Sequence, residues 1–370
     1  MPEADKIRDV DNIRIIAEAG VNHNGSLDLA LQLIDVAREA GADLVKFQTF
    51  KTELGISRHA PTAEYQRRNT GDVATQVELV RKLELNAEQF HKVRDHCIAR
   101  GIAFMTTAFD LPSLDFVSNE LGATELKIAS GEVTHGALLL AAARTGKPVI
   151  FSTGMSTLGE VEAALGVLAF GYLGGKEKPS AEAFRRAYCS VEGQEQLRSK
   201  VTLLHCTTEY PSPADEANLR AMDTMATAFG LPVGLSDHTP GIAVAIAAAA
   251  RGAVIIEKHF TLDRNLPGPD HRASLEPSEL RALVEGVRTA KAALGNGLKV
   301  PAPAEMKNIP IARRSLVARV PIAAGELFTE ENLIAKRPGN GMSPMTYWKL
   351  LGQRASRAYE ADDLVCEHVD

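Results

Sequence analysis

The stretch SLDLALQLIDVAREAGADLVKFQTF (26–50) decides the fold of this chain. Ser26 is a helix-capping residue, and Asp28 falls in the first turn, where an acid meets the positive end of the helix dipole. Leu29, Leu33, Val36 and Ala40 recur at helical spacing, and Gly41 stops the run. The strand-like run DLVKFQ (43–48) follows at once. The same device of helix, glycine stop and strand returns in IARGIAFM (98–105) and AARGAVIIEKH (249–259). In all, β-rich runs stand at IRIIAE (13–18), DLVKFQ (43–48), AFMTT (103–107), ELKIA (125–129), PVIFST (148–153), TLLHCT (202–207), PVGLS (232–236) and AVIIEKHF (253–260). Most are near-continuously apolar, as expected of strands covered on both faces. Eight strand–helix units spread over roughly 250 residues predict an α/β protein of the (β/α)8 TIM-barrel class. An open doubly wound sheet is the rival, but no GxGxxG follows the first strand.

The chain has 370 residues, 45% hydrophobic and 24% charged, which excludes a disordered or fibrous protein. Forty-one Lys+Arg against 47 Asp+Glu leave a net charge of −6, with no basic cluster, so no nucleic-acid partner is expected. Cys97, Cys189, Cys206 and Cys366 show no CxxC spacing and read as reduced thiols. The opening MPEADKIRDVDN lacks an apolar core, and the longest apolar stretch, 242–250, is far short of the ~20 residues of a membrane span. A cytoplasmic protein without a membrane partner is the expectation.

Two excursions interrupt the rhythm. Residues 50–90 follow the second strand, on the face where barrel loops carry function. Residues 171–200 precede the sixth strand and read as an ornament or oligomer contact on the opposite face. The barrel is expected over 1–295, a Pro- and Gly-containing linker over 296–310, and a small β-rich domain over 311–370. That last domain is expected to hold SLVARV, a PIAAGE turn and a short helix capped by Thr329.

On barrel logic the polar residues gather at the strand ends. Glu18 closes strand 1, Lys46 and Gln48 strand 2, and Thr107 strand 3; Lys127 and Ser130 belong to strand 4 and Ser152 to strand 5. Thr208 and Tyr210 follow strand 6, Ser236 and His238 strand 7, and Glu257 and His259 lie on strand 8. Any one of them suits a structural role; convergence from every strand on one rim suits an active site. His238 and His259, on adjacent strands, can share a divalent cation, with Mn²⁺, Mg²⁺ and Zn²⁺ equally compatible. Lys46 and Lys127 with the hydroxyls of Ser130, Ser152 and Ser236 form an anion site suited to a phosphate. The alternative is a Schiff-base lysine of a metal-free barrel aldolase. Cys206, mid-strand, reads as a buried small side chain rather than a nucleophile.

AEAGVNHNG (17–25), VKFQTFK (45–51), YQRRNTG (65–71), LKIASGE (126–132), STGM (152–155), LLHCTTEYPSP (203–213), GLSDHT (234–239), EKHFTLD (257–263), PGPDH (267–271) and KRPGNGMSPM (336–345) together resemble the sialic-acid synthase family over nearly the whole chain. The resemblance implies a metal-bearing barrel with a C-terminal antifreeze-like (SAF) domain that caps the partner's barrel in a domain-swapped homodimer. It implies condensation of phosphoenolpyruvate with an N-acylated amino sugar and release of phosphate. N-acetylmannosamine is the expected sugar, giving N-acetylneuraminate; the alternative is 2,4-diacetamido-2,4,6-trideoxymannose, giving legionaminic acid. It further implies a divalent ion, Mn²⁺ or Mg²⁺, on His238 and His259, and a phosphoenolpyruvate cradle of Lys46, Thr107, Lys127, Ser130, Ser152, Thr208 and Ser236. Glu18, Gln48, Asn69, Tyr210, Asp270 and Arg337 would face the sugar, and Glu18, Lys46, Lys127 and Glu257 would carry the catalytic proton and charge chemistry. Thr208, at a position that is Asn in some members, and the 171–200 insertion are the departures from the pattern.

Overall fold

In the computed structural model, which describes residues 12–61 and 75–366, Ser26 Oγ accepts from the Leu29 amide and Gly41 ends the helix Leu27–Ala40 at φ 84°. The left-handed turn at Gly41 is open to glycine without steric cost, and it points the chain straight into the next strand. The buried face of this helix is Ala30, Leu33, Ile34, Ala37 and Ala40. Leu29 and Val36 are only half-buried, so the packed stripe is turned slightly from the one the leucine spacing suggested.

Eight parallel strands close into a barrel: β1 Arg14–Gly20, β2 Leu44–Thr49, β3 Ala103–Ala108, β4 Leu126–Ile128, β5 Val149–Ser152, β6 Val201–Cys206, β7 Val233–Asp237 and β8 Ile255–His259. Each strand pairs with its sequence neighbours, and β8 returns to β1. The closed ring excludes the open-sheet alternative. Outward residues such as Ile15, Val45, Phe47 and Phe151 form one apolar shell with the surrounding helices. Inside, Ile16, Leu44, Met105, Ile150, Leu204 and Ile255 make a second, smaller core that plugs the barrel.

Side chains on a strand alternate faces, so the residue two positions on from each plug residue also points inward, one layer nearer the carboxyl ends. Those residues are Glu18, Lys46, Thr107, Ser152, Cys206 and Glu257. The apolar floor and the polar rim are therefore successive layers of one alternation, and the floor keeps the rim from opening through the barrel.

The 171–200 insertion folds as two helices, Ala181–Cys189 and Val191–Lys200, packed against the helix Leu158–Leu173 and leading directly into the start of β6. Among the described residues no helix is long and apolar enough to cross a membrane.

The chain divides into two compact units, one ending at Gly295 and the other starting at Asn296. The second has its own core of Leu316, Ala318, Ile322, Phe328, Leu333, Tyr359 and Val365 around an antiparallel pair, β9 Ser315–Ala318 and β10 Leu333–Lys336. The expected helix after Thr329 is absent. Thr329 and Asn332 instead cap each other, Thr329 N donating to Asn332 Oδ1 at 2.8 Å and Asn332 N to Thr329 Oγ1 at 3.3 Å. Four residues are enough for that turn and too few for a helix before β10 begins.

Candidate active site

The rim residues of the barrel meet in one buried network. Lys46 Nζ lies 2.8 Å from Glu18 Oε2 and 3.6 Å from Glu257 Oε1, and donates to Thr107 Oγ1 at 3.3 Å. Lys127 Nζ donates to Ser152 Oγ at 2.7 Å and lies 3.7 Å from the same Glu257 oxygen, which also accepts from Ser236 Oγ at 3.0 Å. Gln48 Nε2 donates to Glu18 Oε1 at 3.0 Å. Two ammonium groups and two carboxylates thus share one buried space, with Glu257 beside both lysines and Glu18 beside Lys46.

Burial pushes the Glu18 carboxyl up to about 6, against the pull of the Lys46 ammonium. Burial works the same way on Glu257, but Lys127 and Lys46 outweigh it and hold this carboxylate below its usual value. Lys46 loses stability to burial yet ends raised, because Glu18 and Glu257 stand beside it. Lys127 ends lowered by burial, with Glu257 opposing. Two carboxyls of one layer are pushed apart, one toward neutral pH and one away from it, which separates a proton-transfer group from a permanent charge.

At the β4 and β5 ends, Gly154 N donates to Ser130 Oγ at 3.0 Å. A side chain at position 154 would put its Cβ 2.3 Å from Thr208 Oγ1 and 2.8 Å from Ser130 Oγ, so a glycine keeps this corner open. Thr208 Oγ1 is buried there without a hydrogen-bond partner, as is Glu257 Oε2. The unpaired Thr208 hydroxyl, beside a cradle of hydroxyls and ammonium groups, can donate to an oxygen of an anionic ligand, whereas the Glu257 oxygen is an acceptor that calls for a donor or a positive charge.

His238 and His259 come together at the neighbouring ends of β7 and β8, ring centroids 5.4 Å apart. The Tyr210 ring packs on both, 4.1 Å from His238 and 5.6 Å from His259. His238 Nδ1 donates to the Thr207 carbonyl at 2.7 Å, which leaves Nε2 as the lone-pair nitrogen. His259 Nδ1 is buried and unpartnered, with Asp270 Oδ2 at 3.9 Å. Burial pushes Asp270 up to about 6 and holds His259 well below the usual histidine value, so this imidazole is neutral and able to act as a ligand. No set of three or more His, Cys, Asp or Glu side chains among the described residues could hold a metal ion. A cation here would take two imidazoles and complete its shell from water or substrate, the open arrangement of a catalytic rather than a structural site.

Of the residues singled out from sequence, Glu18, Lys46, Gln48, Thr107, Lys127, Ser130, Ser152, Thr208, Tyr210, Ser236, His238, Glu257, His259 and Asp270 converge on this rim. Asn69 lies outside the described residues. Arg337 belongs to the second unit, exposed just after β10, where its Nε donates to the Ala312 carbonyl at 2.9 Å. Two features escaped the sequence. Cys206 is the last residue of β6 rather than a mid-strand filler, and its Sγ lies 3.7 Å from His238 Nδ1. The carbonyl that orients His238 belongs to Thr207, and a backbone acceptor leaves no signature in side-chain identity.

Comparison with known proteins agrees with this architecture. Residues 33–299 match the NeuB family and residues 313–366 the SAF domain. The N,N'-diacetyllegionaminic acid synthase of Campylobacter jejuni is 48% identical over 95% of this chain and 98% of its own. That of Legionella pneumophila is 42% identical over 96% and 94%. Among solved structures, the N-acetylneuraminic acid synthetase of Leptospira borgpetersenii, in complex with citrate, is 34% identical with a TM-score of 0.64, over 81% of this chain and 91% of that one. With family matches across both units and whole-length relatives well above 30% identity, the chain belongs to the NeuB family, as one of its phosphoenolpyruvate-dependent synthases.

Proposed function

We propose that the protein condenses phosphoenolpyruvate with 2,4-diacetamido-2,4,6-trideoxymannose to give N,N'-diacetyllegionaminic acid and phosphate. One observation carries the choice of sugar: the two relatives at 48% and 42% identity, each matched over nearly its full length, make this product. The N-acetylmannosamine expectation is weaker, since the N-acetylneuraminic acid synthetase stands at 34%.

The chemistry follows from the rim. Lys46 and Lys127 balance the charge of the enol phosphate, while Ser130, Ser152, Ser236, Thr107 and the unpaired Thr208 hydroxyl supply oriented donors. His238 Nε2 and His259 are the groups that would hold a divalent ion, Mn²⁺ or Mg²⁺; when bound, such an ion polarises the sugar aldehyde as a Lewis acid. Tyr210, tilted against the His238 ring and edge-on to the His259 ring, limits how far either imidazole can turn. Carbon 3 of the enol phosphate then attacks the aldehyde carbon, and the positive charge left on carbon 2 is quenched by water. Glu18, with its carboxyl near 6, is placed to take the proton of that water; Glu257 stays charged and stabilises the cationic centre. The tetrahedral carbon expels phosphate by C–O cleavage. Holding both reactants on one rim contributes up to about 7–11 kcal/mol in favourable cases. Asn69, Gln48, Asp270 and, from the second unit, Arg337 complete the sugar contacts, with Arg337 reaching a partner's barrel in a domain-swapped homodimer.

Incubation with phosphoenolpyruvate, Mn²⁺ and each of the two sugars, read by product mass and phosphate release, tests the assignment. The diacetamido sugar should be turned over with the higher kcat/KM. A clear preference for N-acetylmannosamine would overturn the sugar; turnover surviving EDTA, with borohydride trapping on a lysine, would overturn the whole reaction class.

A further inference from the structure

On the outer faces of β7 and β8, directly behind the two histidines, lies an ion pair that the reaction does not use. Lys258 Nζ donates to Asp237 Oδ2 at 2.6 Å, and both side chains are 1% exposed. Asp237 immediately precedes His238 and Lys258 immediately precedes His259. Alternation along each strand sends the imidazoles inward and the ion pair outward from adjacent residues.

The β7–β8 ladder has Asp237 and Lys258 as its last partners, so His238 stands one residue beyond regular strand pairing. What holds it there is the same ammonium. Lys258 Nζ also donates to the Thr239 carbonyl at 2.6 Å, gripping the residues on both sides of His238. The other Asp237 oxygen, Oδ1, accepts from Thr239 N at 2.9 Å and Thr239 Oγ1 at 2.8 Å, closing the turn around the histidine. We propose that the buried Lys258–Asp237 pair is a positioning device that fixes the spacing and direction of His238 and His259 for a shared cation. This rests on the cation role given to the two imidazoles above.

Stability alone is a poor explanation for the arrangement. Replacing a buried ion pair by apolar groups of similar volume is often neutral or favourable, so such a pair is weak evidence for a stabilising role. An apolar pair lacks what this one has: one donor group bridging two acceptors that flank a ligand, with a carboxylate that bonds the same turn a second time. Outer partners that orient metal-binding histidines typically change metal affinity by roughly 10–100-fold when removed.

The test is Mn²⁺ titration of the metal-free full-length protein, followed by the loss of the free-ion electron paramagnetic resonance signal, alongside phosphoenolpyruvate affinity by calorimetry and the thermal midpoint. Lys258→Met combined with Asp237→Asn removes both charges and keeps an acceptor for the Thr239 amide. The dissociation constant for Mn²⁺ should rise roughly 10–100-fold, while phosphoenolpyruvate, whose two ammonium partners and most of whose hydroxyl donors come from β2 to β5 rather than β7 and β8, keeps its affinity within about threefold. Should the double variant fail to fold, Asp237→Asn alone carries the test with a smaller loss of at least about threefold. A lowered thermal midpoint with unchanged Mn²⁺ affinity would overturn the proposal, as would equal loss of both ligands. A parent protein that binds no Mn²⁺ would overturn the cation role itself and this inference with it; a parent that binds, with variants that bind equally well, overturns the inference alone.

Discussion

The Thr207 carbonyl, 2.7 Å from His238 Nδ1, selects one tautomer of that imidazole before any ligand arrives. A ring whose Nδ1 proton is committed to that carbonyl presents Nε2 to the rim, and it is a better cation ligand than one free to turn. His238→Ala should therefore lower Mn²⁺ affinity at least about 100-fold while far-ultraviolet circular dichroism stays that of the parent; an unchanged titration would refute the ligand assignment. Glu18 gives a second test at this scale. With its carboxyl near 6, the fraction able to accept a proton falls as pH drops through that value, so kcat should decline below about pH 6. In Glu18→Gln the remaining activity should lose that acid limb. A limb that persists unchanged in the variant belongs to another group. Gly154 supplies the third. A Cβ there would stand 2.3 Å from Thr208 Oγ1, inside the corner of the proposed phosphate cradle. Gly154→Ala should raise KM for phosphoenolpyruvate by an order of magnitude and leave KM for the sugar nearly alone, and steady-state kinetics with each substrate varied in turn decides it.

The elements were readable to within a residue or two wherever the chain is covered on both sides. DLVKFQ and AVIIEKHF were bounded by a glycine stop before and polar residues after, and β2 and β8 begin and end close to those marks. The rim followed from the same alternation, because a polar residue two positions past a buried apolar one in a barrel strand has nowhere to point but the mouth. What escaped was of another kind. Thr329 carries the residue chemistry of a helix cap, yet a mutual cap with Asn332 needs no helix behind it. Lys258 and Asp237 sit outside the barrel, where a lone charge in an apolar run signals nothing until its partner on the next strand is known. β7 also shows why one strand is thinner than the rest. A Cβ at Gly234 would lie 2.4 Å from the Ile255 carbonyl and 2.8 Å from Leu204 Cδ2, within the plug of the barrel floor. Gly234→Ala must displace backbone rather than a flexible side chain, so it should cost about 3 kcal/mol in urea unfolding, at the upper end of overpacking effects. A loss under about 1 kcal/mol would mean that β7 and β8 can slide apart more freely than their pairing suggests.

At the scale of the whole molecule, the buried ionisable groups set how the fold responds to acid. His23 and His271 lie in the loops beyond β1 and β8, both fully buried, with His23 Nδ1 accepting from Gly25 N at 3.0 Å and His271 Nδ1 sharing a 2.7 Å hydrogen bond with Thr261. Burial holds each near 4, against 6.5 for a free imidazole. A histidine whose folded pKa is depressed leaves stability complete above 6.5; as pH falls from 6.5 toward 4 the unfolded chain binds the proton first, and stability is lost. For His23 the difference amounts to about 3 kcal/mol across that window. Asp270, raised by burial to about 6, acts with the opposite sign: its folded form takes up a proton first and offsets part of the loss. The metal-free protein should thus lose stability moderately between pH 6.5 and 4.5 in urea unfolding. His23→Gln, whose amide oxygen can still accept from Gly25 N, removes one histidine contribution and should make that decline shallower or reverse it. Asp270→Asn removes its share of the offset, leaving that of Glu18, whose carboxyl is also raised to about 6, and should make the decline steeper. Parallel stability–pH lines for the parent and both variants would show that these groups titrate alike in the folded and unfolded chains, and that the acid response arises elsewhere in the molecule.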